Sequence, residues 1–159
     1  MKESARDMLR HTLATLAYRG AKAVRGAPDG FGEFRASPTS RTPSEILAHI
    51  CDLMDWAVSQ ARGDQAWKNS TPGSWDNDTT RLFTAMSDLD VYLASDEPLG
   101  YPPGQIFQGA IADALTHVGQ INYLRRMFGD PVRGENYFRA DVTTGRVQAD
   151  QAAPRREFD

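Results

Sequence analysis

The stretch Gln105–Phe128, QIFQGAIADALTHVGQINYLRRMF, decides the fold. Phe107, Ala110, Ala114, His117, Ile121, Leu124 and Phe128 recur at alternating spacings of three and four, the repeat of one helical face. Pro102, Pro103 and Gly104 precede the run, and Gly129, Asp130 and Pro131 end it, so the pattern predicts one helix about 36 Å long at 1.5 Å per residue. A helix of that length with a single apolar stripe has to bury it against comparable helices.

The rest of the chain supplies three. Leu9, Leu13, Leu16, Gly20 and Val24 mark a first helix from about Glu3 to Val24, stopped by the glycines and proline of Gly26–Gly32. A loop then runs to about Arg41. Thr42-Pro43-Ser44-Glu45 combines a capping hydroxyl, a first-turn proline and a glutamate three residues after the cap. It opens a second helix that carries Ile46, Ile50, Leu53 and Ala57, widened by Leu47, Met54 and Trp56, to about Arg62. Residues 63–76 form a second long loop bearing Trp67 and Trp75, a composition that suits a lid or a packed omega-like segment. Leu82, Phe83, Met86, Leu89, Tyr92 and Leu93 predict a third helix beginning after Asn77 or Asp78 and ending before Pro98. The fold expected is all-α: a four-helix bundle with long loops and an extended C-terminal arm from residue 131. Residues 1–147 make one domain, and 148–159 form a polar tail of disordered composition. Tyr137, Phe138 and Val142 are expected to pin the arm against the bundle or against a neighbouring subunit.

Composition narrows the classes of function. The chain has 159 residues, and 18 basic against 21 acidic side chains give a net charge of −3, which provides no broad cationic field for nucleic acid or an anionic bilayer. Acidic, basic or amide residues break every apolar run, so no membrane span is expected. The lone Cys51 cannot form an intramolecular disulfide, and no secretory pattern is visible at the start, so the expected location is cytoplasmic.

Polar residues on the apolar stripes carry the functional signal. His117 occupies a position of the last helix that calls for Leu or Ile, and Asp113 lies one turn before it on nearly the same face. On the second helix, His49 belongs to the series Ile46, His49, Leu53, Trp56. Side chains of this kind turned inward need a hydrogen bond, an ion pair or a metal, because desolvating them alone costs several kcal/mol. Two donors four residues apart on one helix and one from a facing helix can meet at a single ion, and two imidazoles with one carboxylate suit zinc and ferrous iron. An ion pair of Asp113 with His117, without metal, is the simpler alternative. Gln120 and Asp52 are candidates to orient the imidazoles from behind. Cys51 points about 200° away from His49 on the helix and is not expected to act as a nucleophile. His11 falls off its helix's stripe and is read as a surface residue.

The segment Asp113-Ala-Leu-Thr-His117-Val-Gly119-Gln120-Ile121 resembles the last-helix motif of the DinB/YfiT-like metalloenzyme superfamily, and Leu47-Ala-His49-Ile-Cys-Asp52-Leu resembles its second-helix segment. The resemblance spans nearly the whole chain in helix order and loop placement. It implies metal positions at His49, Asp113 and His117, with Asp113 standing where most members have histidine. It also implies a divalent ion, zinc or nickel first and iron or manganese as alternatives, that activates a water or a thiol in hydrolysis or thiol-dependent S-transfer of a small-molecule substrate. Homodimers are common in the family, and the arm after Pro131 carries apolar residues with no bundle position left to fill. The competing expectation is a non-catalytic dimeric bundle that binds a small molecule and keeps a vestigial metal site.

Overall fold

A computed structural model describes residues 4–158, in which four long helices surround one core. Helix α1 spans Ala5–Val24, α2 Pro43–Ala61 and α3 Trp75–Ala94. The fourth, α4, begins as Pro103–Ile106, passes through a π-helical turn at Phe107–Ile111 and continues as Ala112–Phe128. Around the bundle the order is α1, α3, α2, α4, so α1 and α2 lie across a diagonal. No helix among the described residues is long and apolar enough to cross a membrane.

Local chemistry sets the helix limits. The Thr42 side chain accepts from the Glu45 backbone N–H while Glu45 accepts from the Thr42 N–H, the reciprocal cap read from the sequence. A matching box between Ser4 and Asp7 starts α1; Glu3, where the sequence placed the start, lies outside the described residues. Ser74 caps α3, which begins at Trp75, earlier than Asn77. Trp75 is therefore a helix residue and not part of the preceding loop. Its ring meets the fully buried Phe31 at 5.4 Å, and Phe31 meets Phe128 at 5.6 Å, so the loop that crosses the diagonal from α1 to α2 plugs one end of the core.

Two features of the fold depart from simple periodicity. The π turn inserts one residue into α4, as the Ala112 N–H bonding to the Phe107 carbonyl records. This rotates the helix start, so Ile106 and Ile111 are buried while Phe107, placed on the stripe by its spacing, is 39% exposed. At the opposite end of α2, Gly63 and Gly100 bring two loops into contact: a Cβ on Gly100 would stand 2.0 Å from the Gly63 Cα. Gly63 has φ +91, which glycine adopts without strain.

The segment after Pro131 packs on its own bundle. Lys22 donates to Glu135 and Glu157, each at 2.8 Å, and the Tyr18 hydroxyl donates to Glu135 at 2.7 Å. Strand β1 (Gly134–Glu135) pairs antiparallel with β2 (Glu157–Phe158), and Val147 is buried. The polar composition of 148–158 is compatible with this ordered path because ion pairs and strand bonds, not apolar burial, hold it. Tyr137 packs edge-on to Tyr18 under the Arg19 guanidinium, and Val142 lies against the core. Phe138 pins nothing: it is 97% exposed, since the short 3-10 turn Tyr137–Arg139 turns Tyr137 inward and its neighbour out.

Candidate metal centre

The bundle order puts α2 beside α4, and this adjacency assembles the site. His49 faces His117 with the rings perpendicular and their centroids 4.7 Å apart. Asp113 reaches both: Oδ2 stands 3.7 Å from His49 Nε2, and Oδ1 stands 3.5 Å from His117 Nε2. One ligand atom from each of the three residues lies within 4.8 Å of the other two, a group that can hold a metal ion. The burial is unequal. The imidazoles are mostly shielded, whereas the Asp113 side chain is 46% exposed. It lies at the rim because Ala110, Ile111 and Ala114 occupy the core-facing positions around it after the π turn. The sequence expectation of a buried carboxylate is corrected on this point.

The donor set fits a metal. Ligands about 2.0–2.1 Å from a tetrahedral zinc are about 3.4 Å apart; Asp113 meets the two imidazoles through different oxygens, and three single donor atoms within 4.8 Å of one another close on an ion with side-chain shifts of about 1 Å. His117 Nδ1 donates to Gln120 Oε1 at 2.8 Å, which leaves the Nε2 lone pair facing Asp113 and the centre of the group. Gln120 thus stands beside His117, one turn along α4. Burial, followed by the adjoining His117 and Arg41, holds the His49 imidazole below the usual histidine range, with Asp113 pulling the other way. His49 accordingly keeps its lone pair at neutral pH.

Asp52 does not orient His49. Its buried carboxylate accepts from the Ser70 N–H at 2.8 Å, from the Ser70 hydroxyl at 2.7 Å and from Arg81 at 2.6 Å. A guanidinium and a backbone N–H supply stronger, better-aligned donors than a neighbouring imidazole on the same helix. Burial opposes the charge of Asp52, but the bonds from Arg81 and Ser70 outweigh it and hold the carboxyl below its ordinary value. Arg81 also binds Asp55 at 2.7 Å. This network fastens the loop between α2 and α3, which carries Trp67 edge-on to His49 at 5.7 Å and to Trp56 at 5.8 Å. Tyr101 helps from the far side, its hydroxyl accepting from Gln65. Trp67 stands against His49 with Trp56 behind it, whereas Trp75 packs on Phe31 away from the triad.

No protein-family model, curated protein or solved structure matches this chain.

A cavity of about 680 Å³ opens beside the triad, between the start of α2 and the middle of α4. Ile46 and Leu124 give it apolar walls, Gln120 and Tyr123 line the α4 side, and Ser40 and Arg41 close the loop side. Sequence reading did not single out Arg41 or Tyr123. Tyr123 shares a helical face with Thr116 and Gln120 at spacings of seven and three, a signal that was present. Arg41 lies on a loop, where no periodicity reports which way a side chain points. Cys51 is buried, donates to the Asp78 carbonyl and has its thiol pushed up to about 12 by burial, so it takes no part. His11 lies away from the site and contacts Thr144.

Proposed function

We propose that the chain is a metal-dependent enzyme of the DinB/YfiT-like kind, with His49, Asp113 and His117 holding one divalent ion. Zinc or nickel is the first choice, and iron or manganese are alternatives. The observation that carries this reading is the convergence of the three donors next to an open cavity. A bound divalent ion supplies Lewis acidity and makes a nucleophile of a water or thiol at neutral pH, the chemistry of a hydrolase or a thiol-dependent S-transferase. The protein's own residues do the rest. Gln120 fixes the His117 tautomer, Trp67 shields His49 from one side, and both imidazoles line the cavity, which makes the triad accessible from it. Asp113 in place of a third histidine lowers the charge of the site by one unit.

Metal content measured by elemental mass spectrometry on untagged protein tests the proposal. About one equivalent in the wild type, absent from His49→Ala and His117→Ala, is expected. A wild type that is empty and takes up no added zinc would overturn it. A second reading has one observation in its favour: Asp113 stands within ion-pair range of both imidazoles and can satisfy them without an ion. On that reading the protein is a dimeric bundle that binds a small molecule, and the binding is indifferent to His49→Ala. The proposal places the protein in the cytoplasm. It also includes a homodimer, supported now by the exposed Phe138 and no longer by the arm as a whole, which has found its seat on its own bundle.

A further inference from the structure

Arg41 stands out among the side chains lining the cavity. Among these described residues it alone carries a fixed charge, for no Asp or Glu contributes to the walls. The other guanidiniums near the site are engaged: Arg35 with Glu45, and Arg81 with Asp52 and Asp55. Arg41 has neither a hydrogen bond nor an ion pair with any described residue, and its charge is felt at His49. It also borders a second, smaller hollow of about 310 Å³ lined by Glu45, His49, Asp52 and Ser70, so it stands between two recesses that share His49. The backbone N–H groups that open α2 are already taken by Thr42 and by the Gly32 carbonyl, leaving the guanidinium as the anion-binding group there.

We infer that this cavity binds a small molecule carrying an oxyanion, carboxylate or phosphate, on an apolar body. Its oxyanion meets Arg41, and its body lies along Ile46, Leu124 and Tyr123 with the reactive end at the triad. A guanidinium offers paired N–H donors that match an oxyanion, and a cavity of this volume lies within the roughly 300–1,000 Å³ of small-molecule sites. The Gln120 amide and the Ser40 and Thr116 hydroxyls are neutral partners for the rest of the molecule. As a statement of substrate class this rests on the enzymatic reading above; as a statement of binding it can be tested without metal.

The test uses the full chain stripped with EDTA at pH 8, so that no ion can bind the probe. 4-Phenylbutyrate and the neutral 4-phenyl-1-butanol are titrated by NMR into wild type, Arg41→Gln and Arg41→Lys. The carboxylate is expected to bind wild type about five- to tenfold more tightly than the alcohol, the range of one charge-assisted hydrogen bond at a half-open site. Arg41→Gln should bind the two alike, and Arg41→Lys should keep part of the preference. Equal binding of both probes to wild type, no binding of the carboxylate, or an undiminished preference in Arg41→Gln would each overturn the inference. Zinc uptake is measured on the same samples. A carboxylate preference in a protein that takes up no zinc upholds the anion site while removing the enzymatic reading; zinc uptake without the preference does the reverse.

Discussion

Replacing Asp52 by Asn should loosen the wall of the site without touching a candidate ligand. The carboxylate is 2% exposed and accepts three hydrogen bonds, two from Ser70 and one from Arg81. Asparagine keeps one acceptor oxygen but loses the charge, and hydrogen bonds to charged groups are each worth about 1.5–3 kcal/mol. Arg81 remains partly exposed and still paired with Asp55, so the full cost of an orphaned buried charge is not incurred. The expected loss is about 2–4 kcal/mol, or about 5–15 °C in Tm for a chain of this size. The bonds of Asp52 hold its folded pKa below the unfolded value near 3.9, so in that range the unfolded chain binds more protons. Its contribution is therefore full above about pH 4 and drains away as pH falls through the folded value. Urea unfolding at pH 7 and at steps down to pH 3 should show the deficit of Asp52→Asn shrinking toward acid. Hydrogen exchange should quicken over residues 65–72 and leave the centres of the helices unchanged. A variant within about 0.5 kcal/mol of wild type at pH 7, or a deficit that persists unchanged into acid, would refute the argument that this ion pair fastens the Trp67 loop.

Three further outcomes are expected. Gln120→Leu removes the partner of His117 Nδ1 and should weaken zinc binding by about 10–100-fold in a chelator competition, with Tm in the absence of metal little changed. Gly100→Ala drives a methyl group into the Gly63 backbone and should cost about 2–3 kcal/mol in chemical denaturation, whereas Gly104→Ala, which meets nothing within 4 Å, should not. Cys51 should resist a thiol reagent at pH 8 in the folded protein and react at once in 6 M guanidinium, because the thiol is buried and its pKa is pushed up to about 12; fast labelling under native conditions would contradict the burial.

Much of this protein can be read along the chain. The stripes Leu9–Val24, Ile46–Ala57 and Leu82–Leu93 identify three helices, and the Thr42–Glu45 cap locates a helix start to the residue, because spacing and capping are local and the residues that satisfy them are close in sequence. His49 and His117 stand out for the same reason, as polar side chains at positions where periodicity calls for apolar ones, and Asp113 stands out by lying one turn before His117. Other features depended on contacts between distant segments. Whether α2 lies beside α4 or across from it is set by how four stripes share one core, and that choice alone brings His49 within reach of Asp113. The π turn that buries Ile106 and exposes Phe107 answers to packing against neighbouring helices, to which a spacing rule is blind. Asp52 found Arg81 and Ser70, 29 and 18 residues away, in preference to the histidine beside it, because the folded chain presented better donors. Arg41 acquired its place at the cavity through a loop whose path is fixed at its ends and by the buried Phe31. Local pattern determined which segments are helical and which residues are out of place on them; only the closing of the bundle, where burial and charge pairing are settled jointly, decided which of those residues meet.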